Sequence, residues 1–380
     1  MKVLNVTNSL DLRTGGGTAE RTYQMSRALA IAGHACTVLT LDTGLDRERI
    51  ESALPAKVYV LPCLWDRFYL PRGDWKAIRE LVKDADIVHL IGHWSVLNAM
   101  VYAAVRLAGK PFVVCPAGAL PIFGRSAWIK RAYNFIVGAA LVRNASAWIA
   151  VTDAELPHFA AYGVPRSQVT VIPNGVNKHD FDDFDLNALH AMGVSDAPAI
   201  LFMGRLNPIK GPDLLLRAFA LVRQQLSGFQ LVFAGPDGGM LAQLQVAVPD
   251  LGLTGRVHFL GHVDGRVKAA AYRYARLLVV PSRQEAMSIV ALEAGICGTP
   301  VLLTDQCGFP AVKTIDPHLE VAVSAEALAD GLISVLKDAD LLSTISTKWQ
   351  NYVERQYGWA ALIPDYVNLY RRVIAAESSR

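Results

Sequence analysis

The sequence predicts an α/β protein made of two doubly wound parallel-sheet domains in tandem. Short apolar runs alternate with longer segments of helical period, the pattern of parallel strands joined by helical crossovers. The pattern breaks near Ile172-Pro-Asn-Gly-Val176 and then starts again. The chain has 380 residues, 52% of them hydrophobic, which is more than one ordinary domain needs.

The elements follow in order. Strands are expected at Lys2–Thr7, Ala35–Leu41, Val58–Leu61, Ile87–Leu90, Phe112–Cys115, Ala147–Val151 and Val169–Ile172. Helices are expected between them at Thr18–Ala32, Trp75–Leu81, Val96–Leu107 and Trp128–Arg143, the first closed by Gly33 as a C-terminal glycine. After the Pro-Asn-Gly turn and the acidic run Asp180–Asp185, five further strands are expected at Ala199–Met203, Gln230–Ala234, Val257–Leu260, Leu277–Val280 and Val301–Thr304. Helices at Pro212–Leu226, Ile289–Ala294 and Ala325–Lys337 separate some of these. The expected domains are 1–175 and 176–363, with 364–380 a terminal helix. Two Rossmann-like domains facing each other leave an interdomain cleft at the carboxyl ends of both sheets, where ligands of such sheets bind.

Composition removes several classes. With 19% charged residues, 29 Gly and 19 Pro, the chain is not disordered, collagen-like or a coiled coil. A net charge of +3 argues against broad binding to nucleic acid, so no nucleic-acid partner is expected. The halves differ: residues 1–175 carry 19 basic and 13 acidic side chains, residues 176–380 carry 18 and 21. Five cysteines without a C-x-x-C pair read as free thiols in a reducing cytosol, with no zinc site. The run after Lys2 is too short for a signal-peptide core. The longest stretch free of acidic and basic side chains, Ile87–Val105, contains His89, Gly92, His93, Ser95 and Asn98 and reads as strand, loop and helix. A cytosolic protein is expected, at most peripheral on the inner face of a membrane.

Three motifs carry chemistry. Gly15-Gly16-Gly17 follows the first strand; bare backbone there approaches a phosphate or sugar closely, and a helix N-terminus adds partial positive charge. A tight strand–helix turn is the alternative reading. The second motif is Gly204-Arg205-Leu-Asn-Pro-Ile-Lys210-Gly211-Pro212-Asp213, at a strand end opening a helix. Arg205 offers a fork and Lys210 a point charge, the pair a diphosphate needs, and Asp213 is the neighbour expected to neutralise them. Ordinary solvated loop charges are the alternative. The third runs from Pro281 to Pro300, with Glu285 in the loop and Glu293 in the next helix. One carboxylate suits a hexose and the other a ribose, because carboxylates accept from vicinal hydroxyls in pairs. A lone Glu in such a helix would face solvent.

The spacing Glu285-x7-Glu293 with Cys297-Gly-Thr-Pro300 behind it resembles the signature of the retaining glycosyltransferase family 4, the glycosyl transferases group 1. So do Gly204-Arg205…Lys210-Gly211, Ile172-Pro-Asn-Gly-Val176, Gly16-Gly17 and Phe233-Ala-Gly235, which together span almost the whole chain. The resemblance implies a GT-B fold with the nucleotide sugar mainly on the second domain, and Tyr357-Gly-Trp359 with Pro364–Ala375 is similar to the family's segment returning to the first. It implies that Arg205 and Lys210 hold the donor diphosphate and stabilise the leaving group, and that Glu285 contacts the transferred sugar. The amides of Met287, Ser288 and Ile289 would surround it, Glu293 would bind ribose, and His262 and Val263 would flank the base. Gly204 and Gly235 would belong to the donor site, and Gly16 and Gly17 would approach the diphosphate. No metal and no cofactor are implied.

Two departures stand out: Ala117 precedes Gly118 where many members carry His or Arg, and Ser288 stands where Gly is frequent. His93, beside Trp94, is with Gly118 a candidate on the acceptor side, whereas His89 reads as a structural histidine bonded to backbone. The segment Arg125–Arg143, mixing Lys130, Arg131 and Arg143 with Trp128, Tyr133 and Phe135, has two readings: a membrane-surface helix near a lipid-linked acceptor, or a core helix with a charged edge. Trp65–Arg72 is a further aromatic loop on that side. The expected activity is transfer of a sugar from a UDP- or GDP-sugar to a hydroxyl of a glycan or lipid-linked glycan, in a bacterial surface or exported polysaccharide pathway. The alternatives are a GT-B isomerase of the nucleotide-sugar 2-epimerase kind and a non-catalytic nucleotide-sugar binder. A dehydrogenase is disfavoured, because the dinucleotide fingerprint is missing.

Overall fold

The computed structural model describes residues 1–65, 69–122, 126–309 and 311–378. The chain divides into two compact units, Met1–Gly175 with Trp359–Arg380, and Val176–Gly358. The expected boundary at 363/364 falls inside a helix, Trp359–Ser378. Pro364 sits within that helix instead of opening it, because Trp359, Leu362 and Ile363 are buried and draw the preceding turn into the same packing.

Among the described residues the first unit holds β1 (Lys2–Val6), β2 (Ala35–Leu41), β3 (Lys57–Leu61), the hairpin β4 (Cys63–Trp65) and β5 (Leu70–Pro71), β6 (Ile87–Ile91), β7 (Phe112–Cys115), β8 (Ala147–Ala150) and β9 (Val169–Val171). Seven of these form a parallel sheet in the order β3-β2-β1-β6-β7-β8-β9. Helices cover such sheets on both faces, which is why β6 and β7 are buried at every position and, His89 apart, apolar. The helix Val96–Ala108 shows local rules at work. Ser95 caps it by accepting from the Asn98 amide at 3.0 Å, and Gly109 closes it at φ 62°.

Three helices differ most from expectation. The first runs Leu12–Ile31 and does not wait for Thr18, since Asp11 caps the earlier start by accepting from the Thr14 amide at 2.8 Å. Gly16, at φ 56° and ψ −141°, breaks its direction. The helix expected at Trp128–Arg143 is two α segments, Ala127–Tyr133 and Ala139–Arg143, joined by a π-helical turn at Asn134–Gly138. The helix from Pro212 ends at Leu221, five residues before the expected Leu226. Arg125, and Asp66 to Phe68 of the aromatic loop, lie outside the described residues.

The second unit holds β10 (Ala199–Met203), β11 (Gln230–Ala234), β12 (Val257–Gly261), β13 (Ala275–Val280), β14 (Val301–Thr304) and β15 (Glu320–Val321), parallel in the order β12-β11-β10-β13-β14-β15. Helices at Leu241–Asp250, Gly265–Tyr274 and Ala339–Tyr357 lie beyond those expected from periodicity. Among the described residues all five cysteines are free, and no helix is long and apolar enough to cross a membrane.

Candidate functional site

In a doubly wound sheet the crevice opens where strand order reverses, outside the carboxyl ends of the strands. In the second unit that point lies between β10 and β13, which pair in parallel with Ile200 opposite Leu277. The loop after β10 carries Gly204, Arg205 and Lys210; the loop after β13 carries Glu285. The topology therefore gathers residues from two distant motifs.

The Lys210 ammonium donates to Glu285 Oε1 at 2.7 Å, and Ser282 Oγ donates to the other carboxylate oxygen at 3.0 Å. Glu285 is thus held by two donors, while its amide donates to the Gln306 carbonyl at 2.9 Å. The expectation that Asp213 neutralises Arg205 and Lys210 is corrected. Asp213 takes the fork of Arg283, at 2.9 and 2.7 Å, and Lys210 pairs with Glu285. Burial works against ionisation of Asp213, but the Arg283 bonds outweigh it and hold the carboxyl below its usual range. Arg283 also donates to the Pro208 carbonyl at 2.6 Å, tying the two loops together. Gly211 is required here, because a Cβ on it would stand 2.1 Å from the Pro281 carbonyl oxygen.

The neighbouring strand ends interlock. The Gly204 amide donates to the Ala234 carbonyl at 2.9 Å, and the Gly235 amide to the Gly261 carbonyl at 2.6 Å. A Cβ on Gly235 would meet the Gly204 oxygen at 1.9 Å, so the Phe233-Ala-Gly235 motif has a packing reason. The exposed Arg205 runs its stem past Gly238. His262 and Val263 follow β12; His262 Nε2 lies 3.5 Å from Asp264 Oδ2, and Val263 is buried.

The turn through Met287 and Ser288 leads into the helix Ile289–Ile296, whose first-turn amides have no intrahelical acceptor. Ser288 stands at the N-cap but makes no capping bond. Its Oγ is buried, and among the described residues it has no hydrogen-bond partner. Glu293 departs from the expected exposure of a helical Glu. It is buried, with Oε1 bonded to Lys268 Nζ at 2.6 Å and Oε2 to the Tyr272 hydroxyl at 2.6 Å. Lys268, Tyr272, Ser282 and Arg283 were not legible as site residues, since each acts through a partner brought to it by the fold.

Gly16, Gly17, His93 and Gly118 belong to the first unit. Gly16 forms the kink described above, and Ala117 and Gly118 both adopt positive φ, 49° and 83°. His93 is buried among the rings of Trp94, Tyr133 and Tyr162, with Nε2 2.9 Å from Asn134 Oδ1. Burial pushes its pKa down to about 4, so the ring is neutral near pH 7. The expected backbone partner of His89 is corrected to a side chain: His89 Nδ1 lies 2.8 Å from the Tyr370 hydroxyl of the last helix. That helix also places Tyr366 against the buried Arg21, which donates to its hydroxyl at 2.5 Å, to Asn174 Oδ1 at 2.6 Å and to the Ile172 carbonyl at 2.9 Å.

Two doubly wound units with a charged loop pair at the switch point of the second define the GT-B class, and solved structures share the fold. The chain superposes on Anabaena HepE, solved in complex with UDP and glucose, with a TM-score of 0.78 at 19% identity, covering 98% of this chain and 100% of that one. For sucrose-phosphate synthase from Thermosynechococcus elongatus the TM-score is 0.76 at 22% identity, covering 99% of each chain. Residues 15–180 match the family model for Glycosyltransferase Family 4, and residues 193–352 match that for Glycosyl transferases group 1. The chain belongs to this family of group 1 glycosyltransferases. A D-inositol 3-phosphate glycosyltransferase of Catenulispora acidiphila is 33% identical over 247 residues, 62% of this chain and 58% of that protein. The chain spans 55–58% of the length of the first curated relatives it matches.

Proposed function

We propose that the protein is a retaining glycosyltransferase that moves a sugar from a nucleoside-diphosphate sugar to a hydroxyl on a glycan or lipid-linked glycan. The observation that carries this reading is the Lys210–Glu285 pair at the switch point of the second unit, with Arg205 on the same loop as Lys210. A departing nucleoside diphosphate gains negative charge as the glycosidic bond breaks. Lys210, Arg205 and the N-terminus of the helix Pro212–Leu221 supply fixed positive potential for it. These charges do the work of a cation, so the reaction proceeds without a metal. Glu285, braced by Lys210 and Ser282, accepts from hydroxyls of the transferred sugar, and the Ser288 hydroxyl, without a partner among the described residues, adds a donor beside the first-turn amides.

In the step itself the acceptor oxygen bonds to the anomeric carbon on the face from which the diphosphate leaves. The acceptor proton passes to the departing phosphate oxygen. His262 and Val263 flank the base. Glu293 shapes the ribose end of the site, held in place by Lys268 and Tyr272. That HepE was solved with UDP and glucose supports a uridine nucleotide as the first donor to try. A bacterial surface or exported polysaccharide is the acceptor pathway consistent with this chemistry.

A thermal-shift panel of UDP, GDP, ADP, TDP and their sugars tests the reading, repeated on Arg205→Ala. One nucleotide diphosphate is expected to raise the melting temperature by mass action, and the variant to lose most of that shift. Stabilisation by none of them overturns the proposal.

A further inference from the structure

We propose that the helical segment Ala127–Arg143 of the first unit docks on an anionic lipid bilayer. Three large apolar side chains stand out from it: Trp128 is 72% exposed, Phe135 93% and Ile136 77%. With Ala132 and Ala140, also exposed, they follow the three- and four-residue spacing of one helix face.

The exposure does not come from a loose helix, because the opposite face is anchored. The Tyr133 hydroxyl donates to the Ser95 carbonyl at 2.9 Å, Asn134 donates to the Tyr162 hydroxyl at 2.7 Å and meets His93 at 2.9 Å, and Leu141 and Val142 are buried. Fixing Tyr133 and Asn134 inward turns the next two residues, Phe135 and Ile136, outward at the π turn. An apolar face of this size, held rigidly in water, marks a binding surface.

Charge selects the occupant. From Ile87 to Thr152 the chain carries Arg106, Lys110, Arg125, Lys130, Arg131 and Arg143 and no Asp or Glu. The remainder of residues 1–175 has 13 basic and 13 acidic side chains, so the whole positive excess of that half lies in this segment. Arg131 and Arg143 are exposed on the helix itself, beside the apolar residues. Aromatic and aliphatic side chains flanked by cations, with no acidic side chain on the helical segment itself, suit the interface of an anionic membrane. A second copy of the chain would set two cationic segments against each other. The inference goes beyond the transfer reading and does not rest on it.

The test is flotation of the full chain with vesicles of phosphatidylcholine alone, or of equal parts phosphatidylcholine and phosphatidylglycerol. Recovery with the anionic vesicles is expected to exceed that with neutral ones by about tenfold or more and to fall as salt rises. Phe135→Ser with Ile136→Ser is expected to weaken binding about a hundredfold while the melting temperature holds. Arg131→Gln, which leaves the apolar side chains in place, is expected to weaken it about fivefold. No flotation with anionic vesicles, equal recovery from both vesicle types, or equal recovery of wild type and the double variant overturns the proposal. So does a wild-type dimer in light scattering that the double variant abolishes.

Discussion

Lys210 and Glu285 lie 75 positions apart in the chain and 2.7 Å apart in space. On the proposed reading, removing Lys210 takes away a charge that opposes the growing negative charge on the leaving group, and such groups are worth about a hundredfold to a thousandfold in turnover. Lys210→Ala and Glu285→Ala are each expected to lose at least that much while circular dichroism stays native; near-wild-type rates in either would displace the assignment. Glu155 is a residue of another kind. It is buried in the first unit, Oε2 accepts from the Val151 amide at 3.5 Å, and among the described residues Oε1 has no partner. Burial pushes its pKa up to about 7 from an ordinary value of 4.5, against the opposing pull of the Val151 amide and Arg21. The folded state therefore binds a proton that the unfolded chain has released. This contribution to stability is complete below about pH 4.5 and is lost as pH rises through about 7. His93 acts with the opposite sign, its contribution being lost as pH falls from about 6.5 toward about 4. Comparing Glu155→Gln with wild type isolates the first effect. The variant is expected to gain roughly 2–3 kcal/mol on wild type between about pH 5 and about pH 8 in urea unfolding. A pH-independent difference would show that Glu155 ionises normally.

At the scale of elements, strands were the more legible part. β2, β7, β10, β11 and β14 coincide with the apolar runs that predict them, because a strand buried on both faces admits little else. Helix ends were less legible, since they depend on caps and on packing partners elsewhere. Asp11 moved one start, and the inward bonds of Tyr133 and Asn134 accompany the π turn in another. The last helix shows how much one element carries. Trp359, Leu362, Ile363, Tyr366 and Tyr370 are all buried, and at about 1.5–3 kcal/mol each their burial is comparable to the whole stability of a typical domain. Its removal also leaves Arg21 and His89 without the Tyr366 and Tyr370 hydroxyls. A chain ending at Gly358 is expected to lose the first unit to limited proteolysis while Val176–Gly358 resists; equal resistance of both would show the helix to be dispensable.

For the whole molecule, the match of residues 15–180 and 193–352 to the two family models and the fold shared with GT-B structures agree with the motif order along the chain. If Arg205 and Lys210 do the work of a cation, dialysis against a chelator is expected to leave turnover within about twofold of its starting value. Loss of activity that a divalent ion restores would place a metal in the reaction. The sequence by itself determined the α/β class, the two sheets, the turn near Gly175 and the motifs at Gly204–Pro212 and Pro281–Pro300, because strand burial, turn chemistry and glycine conformation are local demands on residue type. Only the tertiary structure decided that Lys210 pairs with Glu285 and Asp213 with Arg283, that Glu293 is buried between Lys268 and Tyr272, and that Phe135 and Ile136 face outward. Those outcomes rest on which strand ends and helix faces the topology brings together, and no spacing along the chain encodes a contact made across the sheet.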